Sequence, residues 1–241
     1  MTLARDIAAR ALEFHGSEVL AIGLYGSTGR GTDGPYSDVE VLCILRQGDA
    51  DHTYEWSHGP WKAEVNFLGR DLVLRKVAGV AGTWPITHGA FLGVRPLYDP
   101  DDFFGQLREI VVGQPEESFN EAMRELIVGE LYEWVGKLRN ARQTGHTAHL
   151  PQLALDMAKK GAFLIGLANR HCYTTGPRVL EESLLLPDRP VGYDRLCHVA
   201  MAGDLADAGR VTAACEAFWS GVEQWAVQHG LEIEEQRRIP F

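Results

Sequence analysis

The sequence predicts an α+β fold in two domains, with strands and helices mixed in residues 1–114 and a helical bundle in residues 115–241. Two observations predict this division. Short apolar runs typical of buried strands, such as VLAIGLYG and VEVLCIL, occur in the first part of the chain. From Glu116 onward, apolar residues recur at the three-four spacing of a helix, at Phe119, Met123, Leu126, Ile127, Leu131, Val135 and Leu138.

The first domain is expected to open with a helix over residues 2–15, because Gly16 follows an amphipathic pattern and is a typical stop signal. Strands are expected at VLAIGLYG, VEVLCIL (39–45), AEVNFL (63–68) and FLGVRPLYDP. In AEVNFL, alternation places Glu64 and Asn66 on one face and apolar residues on the other. Later helices are expected over 150–171, 177–186, 192–203 and 207–229, separated by breaks such as TTGP and PDRPVG.

Composition and charge restrict the classes of function. No apolar run approaches the ~18 residues of a membrane span, and charged residues interrupt the N-terminal apolar pattern, so we expect a cytoplasmic protein. The formal net charge of −10 disfavours nucleic acid as a partner and would attract a small polycation, although it could also serve solubility alone. The four cysteines stand far apart, which argues against a zinc site or a disulfide framework.

Two carboxylates stand close together at the end of the stretch GLYGSTGRGTDGPYSDVEV, residues 23–41. Asp38 and Glu40 share one face of a strand, about 7 Å apart at Cα because each residue rises ~3.4 Å. This pair suits Mg²⁺, which prefers oxygen ligands and links carboxylates to phosphate oxygens at nucleotidyl-transfer sites. The alternative is the solvated polar face of a half-buried strand.

A glycine-rich turn precedes these carboxylates. Gly26 and Ser27 follow a strand, and further glycines leave the backbone free to point N–H groups at a ligand. Ser27 offers a hydroxyl and Arg30 a guanidinium to phosphate oxygens. The pattern is neither a Walker motif nor a dinucleotide-binding fingerprint, and a plain glycine-rich hairpin loop is the alternative.

A Gly-Ser turn followed by Asp-hydrophobic-Glu, with a third carboxylate on a later strand, resembles the nucleotidyltransferase superfamily that includes DNA polymerase β. Segments along essentially the whole chain are similar to the aminoglycoside 4′-O-nucleotidyltransferases, the kanamycin nucleotidyltransferase family: AIGLYGSTGRGTDGPYSDVE, EWSHGPWKAEVNF, WPITHG, LIVGELYEWVGKLRN, LIGLANRHCYTT, GYDRLC and RRIPF. The resemblance implies a nucleotidyltransferase α/β domain with a mixed sheet, followed by a C-terminal helical bundle.

The same resemblance implies an activity and its partners. A nucleoside monophosphate, AMP from ATP, would pass to the 4′-hydroxyl of drugs such as kanamycin, with release of pyrophosphate and resistance as the result. Mg²⁺ would be required, and the enzyme would be a homodimer whose active sites use residues of both subunits. The alternatives are a nucleotidyltransferase for another acceptor hydroxyl and an inactive homologue that sequesters the drug.

The resemblance further implies roles for single residues. Three carboxylates would bind metal: Asp38, Glu40 and Glu64. Three residues would contact the nucleotide: Ser27, Arg30 and Lys137. Glu133 would be the general base for the drug hydroxyl, and the drug would be bound by Glu55, Glu64, Glu130 and Glu133. Gly129 stands where the family carries the first of two consecutive glutamates, which removes one carboxylate from the expected drug pocket.

The spacing of Glu133 and Lys137 allows a second interpretation. Residues four apart in this order form an ordinary surface ion pair, worth ~0.2–0.5 kcal/mol. If the pair instead faces a cleft, Lys137 would help to keep Glu133 ionised and able to accept a proton.

Overall fold

The computed structural model describes residues 2–48 and 50–233, so the C-terminal RRIPF segment lies outside the described residues. The chain divides into two compact units, one drawn from Met1–Val80 and Ile86–Gln114 and the other from Ala81–Pro85 and Pro115–Phe241. Within the described ranges, no helix is both long enough and apolar enough to cross a membrane.

The first unit is built on a mixed sheet. Its strands are β1 (Val19–Tyr25), β2 (Val39–Leu45), β3 (Asp51–His58), β4 (Trp61–Gly69) and β5 (Arg95–Tyr98). They lie in the order β3-β4-β2-β1-β5, with β2 parallel to β4 and the other neighbours antiparallel. The predicted α+β class is thereby confirmed.

Helix α1 (Thr2–His15) covers one face of this sheet. Its buried side is small and apolar, with Ala4, Ile7, Ala8 and Ala11, and it packs on Ile22, Val41 and Val65. Because side chains alternate along a strand, the neighbouring residues Tyr25, Glu40 and Glu64 lie on the opposite face. Further along that opposite face Leu42 and Ile44 are buried, so the polar face of the sheet is confined to the end that carries Tyr25, Glu40 and Glu64.

Two parts of this unit differ from the prediction. Strand β3 was not expected, because DHTYEWSH contains no apolar run; it is an edge strand with every residue exposed. In FLGVRPLYDP only Arg95–Tyr98 is a strand, since Gly89–Leu92 forms a short helix whose turn is closed by the Gly93 N–H donating to Gly89 O at 3.1 Å.

The other α-helices among the described residues are α2 (Gly26–Arg30), α3 (Arg70–Ala78), α4 (Trp84–Thr87), α5 (Gly89–Leu92), α6 (Phe103–Val112), α7 (Glu116–Leu126), α8 (Tyr132–Thr144), α9 (Leu150–Ala168), α10 (Val179–Ser183), α11 (Tyr193–Met201) and α12 (Ala208–Gln228). In the second unit α9 is central and contacts α7, α8, α10, α11 and α12. This arrangement confirms the predicted helical bundle.

Two helices of the bundle differ in detail from the periodic pattern. The helix expected over 177–186 shrinks to α10, because it is entered through a 3₁₀ turn, Gly176–Arg178, that contains a proline. The long helix expected from Glu116 is interrupted by a π-helical turn, Ile127–Leu131, between α7 and α8.

Candidate active site

The register of the sheet brings the predicted carboxylates together in the first unit. Glu40 on β2 is the direct neighbour of Glu64 on β4, and Tyr25 on β1 is opposite Glu40 on the other side. Glu55 on β3 is opposite Glu64. Asp38 lies just before β2, two residues from Glu40. The polar face of the sheet thus carries acidic side chains from three adjacent strands and one strand entry.

Gly26 ties the glycine-rich turn to this acidic group. Its φ is +67°, and a Cβ built on it would overlap Glu40 Oε2 and lie 2.8 Å from Glu40 Cδ. Only glycine accepts both that conformation and that approach. The turn itself is the short helix α2, which begins at Gly26 and carries the half-buried Ser27 and Arg30, rather than the open loop that the glycines indicate.

The charge on Glu40 is poorly compensated. Burial, together with the negative charges of Asp38 and Glu64, raises the pKa of Glu40 to about 7, and the smaller opposing effects of Lys62 and Arg30 do not cancel this rise. In the described part of the chain, no three His, Cys, Asp or Glu side chains are already arranged to hold a metal ion. The donor set still fits a hard divalent cation, because Glu40 is the register neighbour of Glu64, its charge is opposed by Asp38 and Glu64, and a cation would relieve this repulsion.

Glu64 is held by a network of donors that the sequence did not indicate. Tyr25 OH donates to Glu64 Oε1 at 3.0 Å, and Asn66 Nδ2 donates to the same oxygen at 2.6 Å. Lys62 Nζ lies 2.9 Å from Glu64 Oε2. Burial alone would raise the pKa of Glu64, but the hydrogen bonds from Lys62, Asn66 and Tyr25 lower it below its ordinary value. Glu64 is therefore a carboxylate prepared to stay charged.

Lys62 connects Glu64 to Glu55. Its Nζ lies 2.6 Å from Glu55 Oε1 as well as 2.9 Å from Glu64 Oε2, and the hydrogen bond to Glu55 is the main reason that the pKa of Lys62 is raised. The sequence could have indicated the contact between Lys62 and Glu64, because strand alternation in WKAE puts both residues on the same face. Two of the four glutamates predicted for drug binding thus share one ammonium group.

The other predicted site residues lie in the second unit. Lys137 Nζ is 2.7 Å from Glu133 Oε1 on α8, and both side chains are about half exposed. The same ammonium lies 4.5 Å from the centre of the Trp134 ring. The structure therefore pairs Glu133 with Lys137, and it places this pair and the acidic sheet face in different compact units.

Glu130 has a local partner of its own. It lies in the π-helical turn and forms an ion pair with Lys160 of α9. The adjacent Gly129 has no heavy atom within 4 Å of a Cβ built on it, so this position offers open space rather than a packing constraint. A drug amine that bound Glu130 would compete with Lys160 for the carboxylate.

Known proteins resemble this chain over its whole length. The KNTase C-terminal domain family matches residues 101–232. An aminoglycoside nucleotidyltransferase (4′) from Staphylococcus aureus is 41% identical over 241 residues, which is 100% of this chain and 95% of that protein. This chain belongs to the aminoglycoside nucleotidyltransferase (4′) family. A second member, from a Bacillus species, has the same identity and the same coverage. The predicted family and the predicted class of enzyme are confirmed.

A solved structure supports the fold of this aminoglycoside nucleotidyltransferase family member. A nucleotidyltransferase-like protein from Exiguobacterium sibiricum 255-15 matches with a TM-score of 0.60 at 11% identity, over 98% of this chain and 81% of that one. At such low identity the likeness concerns architecture and carries no information on substrates.

Proposed function

We propose that this enzyme transfers AMP from ATP to the 4′-hydroxyl of aminoglycosides such as kanamycin and releases pyrophosphate. The observation that carries the proposal is the 41% identity, over the whole chain, to a protein named aminoglycoside nucleotidyltransferase (4′). The acidic sheet face supports it, since nucleotidyl transfer needs carboxylates beside a phosphate-binding turn, and both are present around Gly26.

The nucleotide would bind beside the first unit's polar face. Ser27 and Arg30 on α2 would contact the triphosphate, while Asp38, Glu40 and Glu64 would hold Mg²⁺. Bound Mg²⁺ would orient the α-phosphate and offset the charge that develops on it. Because Gly26 lies against Glu40, the turn that carries Ser27 and Arg30 would keep a fixed distance from the carboxylates, as in-line displacement requires.

The acceptor side would depend on Glu133. Its carboxylate would take the proton of the 4′-hydroxyl as that oxygen forms a bond to the α-phosphorus and the bond to the pyrophosphate oxygen breaks. Lys137, 2.7 Å away, would hold the Glu133 carboxylate in an ion pair and would lie beside the nucleotide. The half-exposed position of the pair leaves Glu133 accessible to a substrate hydroxyl.

The drug would be held by acidic residues. Kanamycin carries several ammonium groups, and a protein of net charge −10 would attract it. Glu55, Glu64, Glu130 and Glu133 are the proposed contacts. Each of them already has a lysine partner, so binding would replace one cation by another rather than neutralise a bare carboxylate. Ammonium exchange of this kind favours polycations over neutral sugars.

A homodimer with shared active sites is part of the proposal, as is a cytoplasmic location. Supporting the dimer, the helical segment around Glu133 carries apolar side chains on more than one side. Ile127 is fully buried, whereas Val128 and Tyr132 are 44% and 55% exposed. A partner subunit would cover such exposed apolar groups.

Release of pyrophosphate tests the function. With kanamycin, ATP and Mg²⁺, we expect release well above a control without drug. Release with another acceptor but not with kanamycin would favour the alternative of a different acceptor hydroxyl. Tight kanamycin binding without release would favour the alternative of an inactive sequestering homologue. Either of these results would overturn the proposal.

A further inference from the structure

A closed set of hydrogen bonds surrounds one oxygen of Glu64. Asn66 Nδ2 donates at 2.6 Å to Tyr25 OH and at 2.6 Å to Glu64 Oε1, and Tyr25 OH donates at 3.0 Å to that same carboxylate oxygen. Tyr25 comes from β1 and Asn66 from β4, so the bonds cross the intervening strand β2. The other oxygen of Glu64 is left to Lys62.

The Glu64 carboxylate, which can only accept, fixes the direction of the hydrogen bonds, and Thr53 completes them. Thr53 Oγ1 on β3 donates to Asn66 Oδ1, which leaves the amide nitrogen facing Tyr25 and Glu64. In the reversed orientation the amide oxygen would face the Glu64 carboxylate, which can only accept, and the bonds from Asn66 Nδ2 to Tyr25 OH and Glu64 Oε1 would be lost, whereas the Thr53 hydroxyl could accept from the amide nitrogen instead. Both amide hydrogens and the phenolic hydrogen then have one assignment, and it directs donors to Glu64 Oε1.

We propose that Tyr25 and Asn66 are positioning residues that fix the orientation of the Glu64 carboxylate for metal binding. The inference rests on the proposed function, in which Glu64 is one of the Mg²⁺ ligands. Neither residue needs to touch substrate, because each acts through Glu64. Hydrogen bonds to a ligating carboxylate restrict its rotation, and removing such outer partners typically costs about 10- to 100-fold in metal affinity or activity.

The hydrogen bonds of its hydroxyl explain why Tyr25 on β1 is a tyrosine. A phenylalanine would fill the same space, but it would leave Glu64 Oε1 with one donor instead of two and would remove the acceptor of one Asn66 hydrogen. The position therefore requires a hydroxyl at the end of an aromatic ring rather than ring volume alone.

Binding of Mn²⁺, used as a probe for Mg²⁺, tests the inference without turnover. Its affinity is measured by electron paramagnetic resonance in the presence of a non-hydrolysable ATP analogue, for wild type and for Tyr25→Phe. We expect the affinity of Tyr25→Phe to fall about 10- to 100-fold. Tyr98→Phe is the matched control, because Tyr98 packs against the core on the α1 side of the sheet; it should bind Mn²⁺ like wild type.

A double-mutant cycle separates positioning from a general loss of structure. If Tyr25 acts through Glu64, adding Tyr25→Phe to Glu64→Gln should weaken Mn²⁺ binding no further. Equal Mn²⁺ affinity in wild type and Tyr25→Phe, or an undiminished effect of Tyr25→Phe in the Glu64→Gln background, would overturn the inference. Should Tyr25→Phe fail to fold, Asn66→Ala, which removes both amide donors, is measured in the same cycle with the same criteria.

Failure of the proposed function looks different. It would appear as wild-type enzyme that releases no pyrophosphate with kanamycin and ATP. Wild-type turnover together with impaired Glu64→Gln and normal Tyr25→Phe would instead contradict the positioning inference alone.

Discussion

Glu40 is the residue whose surroundings oppose its charge most clearly. In the folded protein without a divalent cation its pKa is about 7, raised from 4.5 by burial and by Asp38 and Glu64. A carboxyl group whose pKa is raised by folding stabilises the folded state when it is protonated. This contribution is fully present below the ordinary pKa of 4.5 and is lost as the pH rises through about 7.

We therefore predict a pH-dependent effect of Glu40→Gln on stability. In EDTA the variant should melt above wild type at about pH 8, where Glu40 is charged, and close to wild type at about pH 5, where it is protonated. Mg²⁺ should reverse the difference at the higher pH, since only wild type keeps the ligand. Glu121→Gln, at an exposed position of α7, is the control. A melting difference that is the same at both pH values contradicts the assignment.

Glu133 presents the opposite situation, an accessible carboxylate with a lysine beside it. If Glu133 is the general base, Glu133→Gln should lower kcat by roughly 10²–10⁴-fold, with a modest change in drug affinity. Steady-state kinetics across a range of pH measure this, with Glu125→Gln on α7 as a control. A variant that lost only drug affinity and kept kcat would make Glu133 a binding residue.

At the scale of elements, the turn from β1 into α2 couples backbone conformation to the carboxylates. Gly26 and Gly31 both have positive φ, +67° and +70°, but only at Gly26 would a Cβ collide with Glu40. Substitution of Gly31 by alanine would therefore introduce backbone strain alone, whereas the same substitution at Gly26 would introduce strain and also displace Glu40.

We predict that Gly31→Ala loses about 1–2 kcal/mol of unfolding free energy to strain and retains activity. Gly26→Ala should lose more stability and most activity, because Glu40 must move. Urea denaturation and turnover measure the two effects. Equal behaviour of the two variants would show that the contact with Glu40 is unimportant.

The sequence predicted elements best where one face is buried. The strands β1, β2 and β4 carry continuous or alternating apolar residues, and α1 carries an apolar stripe. Strand β3 was not predicted, because an exposed edge strand needs no buried apolar face and so lacks the apolar pattern of the other strands. The π-helical turn Ile127–Leu131 was not predicted, because a single extra residue in one turn barely changes the spacing of apolar residues along a helix.

The site was predictable only in part for a related reason. Asp38 and Glu40 are only two residues apart in sequence, so their closeness could be predicted from local spacing, although Asp38 lies just before β2 rather than within it. The contact of Tyr25 with Glu64 spans 39 residues, and it depends on the register of three strands. No local pattern contains that register.

At the scale of the whole molecule, the proposed residues divide between two compact units. Asp38 belongs to the first and Glu133 to the second, and in a closed two-fold dimer one active site can take residues from both subunits. Whether catalysis joins residues of one chain or of two is therefore a question about assembly.

We predict that mixing Asp38→Asn chains with Glu133→Gln chains restores activity. Under random exchange half the dimers are mixed and each has one intact site, so about a quarter of wild-type activity should return. Mass spectrometry confirms the exchange, and unmixed variants serve as controls. Complete exchange without recovered activity would exclude shared sites while leaving the chemistry untouched.

The most direct test of the central claim is the structure of the product. Kanamycin, ATP and Mg²⁺ are incubated with wild type and with Asp38→Asn, which removes a proposed metal ligand from a strand entry rather than from the core. Wild type should yield kanamycin carrying one AMP group at the 4′-oxygen, identified by mass and by nuclear magnetic resonance, with an equal amount of pyrophosphate. Asp38→Asn should fold normally and yield at least about 10³-fold less. Unmodified kanamycin with wild type, or normal product with Asp38→Asn, would contradict the account.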